Sequence, residues 1–267
     1  MRGEVARRTL AARKKSLLGW GIGVAGFMVL IVASYPAIRD QSGITDLIDE
    51  YPDWVQQILG LGGGLSITSP AGYLNSQVFA NVLPLVFLIF LIAFAVREVA
   101  GAEQDGTMEL TLAHPVTRDD YLLEKTLAMI GGGVLLALVA AVTMLVPALA
   151  IAMDLSIWGV ISAIVSVFAM CLLFGVLALA VAAATGSKAL ALGISAGLGV
   201  AAYVLWGLQS LLDAIAVTRF FNPFHWALAG DPILDGIQAA NIAGLLVATA
   251  VLLGLAVWLF RGRDLGV

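Results

Sequence analysis

Residues Arg97–Lys125 read REVAGAEQDGTMELTLAHPVTRDDYLLEK and hold 10 of the 32 formally charged side chains of a 267-residue chain. The sequence turns apolar on both sides, with no charged residue in Val78–Val96 before the stretch or in Thr126–Met153 after it. Each flank reaches the length of about 20 residues that a helix needs to cross a bilayer core. A polar interval between two such runs is a connection outside the membrane, and the rest of the topology follows from it.

Composition bounds the solvent. The chain is 61% hydrophobic with a mean hydropathy of +1.00 and is only 12% charged, where a soluble domain is about 25% charged. Lipid must therefore surround most of it. A sequence pI near 5.1 and a net charge of -4 leave no electrostatic footprint for nucleic acid. The single cysteine, Cys171, lies inside an apolar run and reads as a small core hydrophobe, with no disulfide framework and no thiolate metal cluster.

Outward from the charged stretch, four more runs complete a set of six: Leu17–Tyr35, Ile157–Ala184, Ala189–Leu212 and Ile237–Phe260. The expected fold is an all-α polytopic membrane protein, a single domain over 1–267 with spans at 17–35, 78–96, 126–153, 157–184, 189–212 and 237–260. Residues 97–125 connect the second and third spans, and 36–77 and 213–236 lie on the opposite side. Asp154–Ser156 and Thr185–Lys188 are short enough to make antiparallel hairpins. In the first external segment Ile44, Leu47, Ile48, Tyr51, Trp54, Val55, Ile58 and Leu59 recur at helical spacing, a pattern for an amphipathic helix ended by Gly62, Gly63 and Gly64. Ahead of the first span, residues 1–16 read as an amphipathic elbow on the membrane surface. They read equally as a disordered basic tail that only sets topology.

Basic residues set the orientation, because the cytoplasmic side retains them. With both termini inside, the inner face holds Arg2, Arg7, Arg8, Arg13, Lys14, Lys15, Arg97, Arg118, Lys125, Lys188, Arg261 and Arg263, which is 12 of the 14 bases. Only Arg39 and Arg219 fall outside. The centres of the six runs contain no Asp, Glu, Lys, Arg or His, so the relays expected of proton-coupled and many ion-coupled transporters are missing. Asn81, Thr143, Gln209 and Asn241 are weak candidates for a translocation path; each reads also as an inter-helix hydrogen-bond partner. No G-x-x-x-x-G-K-[ST] stretch is present, so the chain has no phosphate-binding loop and no cofactor site of its own.

Gly193-Ile194-Ser195-Ala196-Gly197 fits G-x-S-x-G and raises an intramembrane serine protease as an alternative. Ser195 lies near the inner start of its run and His225 in the external connection, roughly 20 Å away at 1.5 Å rise per residue. A nucleophile and its base must approach to about 3 Å. A seam of small residues letting two helices touch is the simpler reading of Gly193 and Gly197. A membrane scaffold without transport activity is a second alternative.

The charged stretch also resembles the first cytoplasmic loop of ABC type-2 export permeases. The matching residues are Glu103, Asp105, Gly106, Thr107, Glu109, Leu110, Leu112, Pro115, Val116, Arg118 and Lys125. Asn222-Pro223-Phe224-His225-Trp226 followed by Gly230-Asp231-Pro232 is similar to the external segment before the last span of such permeases, and His114 departs from the pattern. The expected protein is a permease subunit of a bacterial or archaeal plasma membrane; the resemblance leans towards export, and a hydrophobic or amphipathic substrate fits the uncharged spans. The resemblance further implies a dimer with a second such permease, and separate ATP-binding cassette ATPase subunits holding ATP and Mg. Glu103, Asp105, Gly106, Thr107, Met108, Glu109, Leu112, Pro115 and Arg118 would then form the contact with the ATPase. Read physically, Asp105 or Thr107 caps a short helix, Met108 and Leu112 share one of its faces, Pro115 stops it, and Thr117 with Asp120 opens the next helix.

Overall fold

The computed structural model describes residues 3–41, 43, 47, 48, 50–61, 65–209 and 213–263. Ile44, Gly62, Gly63 and Gly64, which the sequence places in and after an outer helix, lie outside the described residues, as does Leu212.

A hydrogen-bonded backbone with no access to water must close its bonds within itself, and a helix does so locally. The helices are α1 (Glu4–Ala12), α2 (Lys14–Arg39), α3 (Asp53–Ile58), α4 (Pro70–Gln104), α5 (Thr107–Leu112), α6 (Arg118–Ala150), α7 (Ile157–Thr185), α8 (Lys188–Leu208), α9 (Pro223–Leu228) and α10 (Ala239–Gly262). A 3-10 segment covers Asp213–Phe220, and a π turn covers Asp231–Asp235. No strand occurs among the described residues. Six helices, α2, α4, α6, α7, α8 and α10, are long and apolar enough to cross a membrane. Serine and threonine side chains start three of them. Ser156 accepts from the Gly159 amide at 3.1 Å, Ser187 from Leu190 at 3.3 Å, and Thr117 from Asp120 at 3.1 Å.

Most of Arg97–Lys125 is itself helical. The α4 rod continues past Val96 through a π turn at Arg97–Gly101 and ends at Gln104, while α6 begins at Arg118. Both extensions carry charge, and the contacts described below show how it is balanced. α7 is the centre of the fold. Its apolar window is 72% buried and that of α4 is 61%, against 17–28% in the other four, so α7 and α4 form the core and the rest wrap it. Gly175 lets them meet, because a Cβ there would lie 2.9 Å from Cβ of Leu91 and 3.2 Å from Sδ of Met129. Phe87 on α4 packs edge-on against Phe168 of α7 at 5.7 Å.

Candidate functional site

The α5 helix hangs between the end of α4 and the start of α6. Gly106, at φ 68, reverses the chain and serves as the N-cap of α5. Neither Asp105 nor Thr107 caps this helix, contrary to the sequence expectation. A side-chain cap needs an extended N-cap residue, and the left-handed Gly106 excludes it. Thr107 Oγ1 instead donates back to the Ala102 carbonyl at 3.2 Å, and Asp105 pairs with Lys188 of α8 at 3.2 Å. At the other end His114 Nδ1 meets the Leu110 carbonyl at 3.0 Å, and Pro115 follows.

Met108 and Leu112 do face one way, but inwards. Met108 is 1% exposed and Leu112 is partly buried against the core. The outward residues are Glu109 and Leu110, the latter 70% exposed. Glu103 is also turned inwards. It pairs with Arg263, which donates in addition to the Ala183 carbonyl at 3.0 Å, tying the end of α4 to the ends of α7 and α10. Arg118 reaches the C-terminus of α10, donating from Nη1 to the Arg263 carbonyl at 2.7 Å and the Arg261 carbonyl at 3.4 Å. Next to it, Arg261 Nε donates to Asp119 at 2.8 Å and holds the Asp119 carboxyl below its ordinary range. The short helix therefore sits on a frame that joins α4, α6, α7, α8 and α10.

A second layer of charge was not anticipated. Glu98 is 6% exposed and takes Arg13 Nε on one carboxylate oxygen at 2.6 Å and Lys125 Nζ on the other at 2.6 Å. Glu124, 7% exposed, accepts the backbone N–H groups of Gly3, Val5 and Ala6 at 2.7–3.1 Å, the open N-terminus of α1. The sequence signal was the presence of Glu98 and Glu124 at the borders of apolar runs, where an unpaired carboxylate is costly.

The four translocation-path candidates are not brought together as a lining. Asn81 accepts from Tyr203 at 2.6 Å, Thr143 bonds its own helix at the Val139 carbonyl, Gln209 donates to Thr218, and Asn241 donates to Gln238. Asn81 alone of the four lines a described cavity, a mainly apolar one of about 280 Å³ between α4 and α8 with Tyr203 and Phe224 on its wall. Asn222 opens α9 by accepting from Phe224 N and ties it to α8 by donating to the Ala202 carbonyl at 2.8 Å. Ser195 Oγ is buried without a hydrogen-bond partner among the described residues, so no base is in place to activate it. Among the described residues nothing lies within 4 Å of where a Cβ on Gly193 or Gly197 would sit, and the same holds for Gly19 and Gly23 on α2.

Six spanning helices and a short helix mounted on their polar ends define a multi-pass membrane protein. The family described as ABC-2 family transporter protein matches residues 5–265, and the chain belongs to it. It is a membrane transport subunit of that family, in which a separate protein supplies the ATPase. No curated protein matches the sequence.

Proposed function

We propose that this chain is the permease subunit of an ATP-driven exporter in the plasma membrane of a bacterium or archaeon, with both termini cytoplasmic. In this reading α5 seats in a groove of an ATP-binding cassette subunit, which binds ATP and Mg. Two permeases, the chain with itself or with a relative, form the pathway. The open glycine faces of α2 and α8 are surfaces on which a second permease can approach closely. The cargo is hydrophobic or amphipathic, in keeping with spans whose centres are uncharged.

One observation carries the reading: α5 exposes Glu109 and Leu110 while its underside and flanks are bonded to the ends of the long helices. A six-residue helix has no stability of its own in water, so displacing it displaces what it is bonded to. ATP-driven closure of the partner would thus push on α4, α7, α8 and α10 together and shift the spans between inward-open and outward-open arrangements.

The test is co-purification with ATP-binding cassette proteins whose genes neighbour this one, followed by ATP turnover in vesicles for the wild type and Glu109→Lys. Loss of assembly or of stimulated turnover in Glu109→Lys is expected. Intact assembly with unchanged turnover would overturn the assignment of α5.

A further inference from the structure

Beneath α5 lies a second cavity, polar and about 240 Å³ in volume, bounded by the α1–α2 junction, the π turn of α4, α5 and the first turns of α6. Its charged walls are Arg13, Arg97, Lys125, Glu98 and Asp105. The charges do not balance. Glu98 is shared by Arg13 and Lys125, and Asp105 is turned to Lys188, a fourth cation. Arg97 is exposed and has no ion-pair or hydrogen-bond partner among the described residues. Two cations thus share one carboxylate and a third, Arg97, has none, leaving a positive surplus in a partly dehydrated cleft, which is unfavourable until an anion enters.

Unused donors face the same space. Arg13 spends Nε and Nη2 on Glu98, which leaves Nη1 free of Glu98. Lys125 spends two of its three hydrogens, on Glu98 and on Thr9 Oγ1. Arg97 keeps all five. Thr107 and Thr111 direct their hydroxyl hydrogens to the Ala102 and Thr107 carbonyls, so the guanidinium and ammonium groups are the donors that remain. A guanidinium fork with neighbouring cations is matched by a tetrahedral oxyanion. The cavity also lies where the apolar part of α4 ends and that of α6 begins, the depth at which a helix meets lipid headgroups.

We propose that this cavity is a phosphate-binding site, filled by the headgroup phosphate of a phospholipid that bridges Arg97 to the Arg13 and Lys125 pair. The site is independent of the transport assignment, since it is read by lipid retention and not by ATP turnover.

The experiment is native mass spectrometry of the full-length protein titrated with phosphatidylglycerol, with and without millimolar inorganic phosphate. The variants are Arg97→Gln, Thr111→Glu, which places a carboxylate in the cavity, and the double variant Arg7→Gln/Arg8→Gln, which removes charge from the exposed face of α1. Arg97→Gln and Thr111→Glu should each weaken saturable lipid retention about tenfold, the loss of one charge-assisted contact, while the α1 double variant retains it. Competition by inorganic phosphate would identify free phosphate as an occupant, and its absence would identify the lipid; either supports the site. Retention unaffected by both cavity variants, or equally reduced in the α1 variant, would overturn it.

Discussion

Nζ of Lys125 stands 2.6 Å from Oε2 of Glu98, joining the third spanning helix to the second where both leave the apolar layer. Arg13 holds the other oxygen of the same carboxylate, so α1, α2, α4 and α6 meet at one group. Removing one partner of such a cluster leaves the others buried without compensation. Glu98→Gln should therefore destabilise the protein by about 3 kcal/mol and free the α1 segment. A lower thermal midpoint together with faster tryptic cleavage at Arg7 and Arg8 is expected; an unchanged midpoint and cleavage rate would count against the cluster.

Arg118 looks in sequence like a surface charge waiting for a partner, yet it closes the C-terminus of α10 through the Arg261 and Arg263 carbonyls. Arg118→Ala should lower the thermal midpoint by an amount corresponding to about 1–2 kcal/mol, the contribution of a charge-assisted hydrogen bond. Arg118→Lys should restore only part of it, because an ammonium on a flexible stem does not span several carbonyls as a guanidinium does. Equal stability of Arg118→Ala and wild type would show that the cap contributes nothing.

Local order was legible where local chemistry sets it. The long uncharged runs such as Ile157–Ala184 have no alternative to a helix in lipid, and Thr117 three residues before Asp120 writes a helix start into four positions. The pairs that mount the candidate site were not legible, because Glu98 meets Arg13 across 85 positions and Glu124 meets Gly3 across 121. Helical spacing placed Met108 and Leu112 on one face without saying which way that face turns. A left-handed Gly106 decided it, and a lone glycine in a polar stretch fits several turn geometries.

Two glycines separate packing inside the chain from packing outside it. A Cβ on Gly159 would fall well within contact distance of the Ile233 carbonyl oxygen, a backbone atom of the Asp231–Asp235 π turn. Gly159→Ala should cost about 1–3 kcal/mol or more, as overpacking does. Gly193 lies in mid-helix with open space around it, where alanine gains up to about 1 kcal/mol over glycine. Thermal midpoints moving in opposite directions for Gly159→Ala and Gly193→Ala are expected in the isolated subunit, and a fall in both would contradict the open face of α8.

The π turn at Asp231–Asp235 carries a pH signature. Burial raises the Asp231 carboxyl above its ordinary value of 3.8, and the neighbouring Asp235 raises it further. A carboxyl with a raised folded-state pKa binds protons more readily in the native than in the unfolded protein, so stability falls as pH rises from about 3.8 through the folded value. Asp231→Asn removes the penalty and keeps a residue tolerant of the positive φ of 42 found there. The variant should melt higher than wild type near pH 7 and should lose that advantage below about pH 4. A pH-independent difference would assign the effect to something other than ionisation.

The division of α5 into an outward and an inward face yields a pair of substitutions with opposite readouts. Leu110 is 70% exposed, so Leu110→Glu should change the stability of the isolated subunit by no more than about 0.5 kcal/mol. Met108 is 1% exposed, and Met108→Ala should cost about 2–5 kcal/mol through lost burial and the cavity left behind. If the exposed face docks on an ATPase, an acidic group at position 110 enters a desolvated contact, where loss of an anchor costs about 2 kcal/mol or more. Leu110→Glu should then reduce assembly with the ATPase and its stimulated turnover by at least about tenfold, with the thermal midpoint of the subunit unmoved. Met108→Ala should lower that midpoint first and affect turnover only as far as the helix loosens. Full assembly and full turnover in Leu110→Glu would detach α5 from the ATPase and return it to the role of a structural corner.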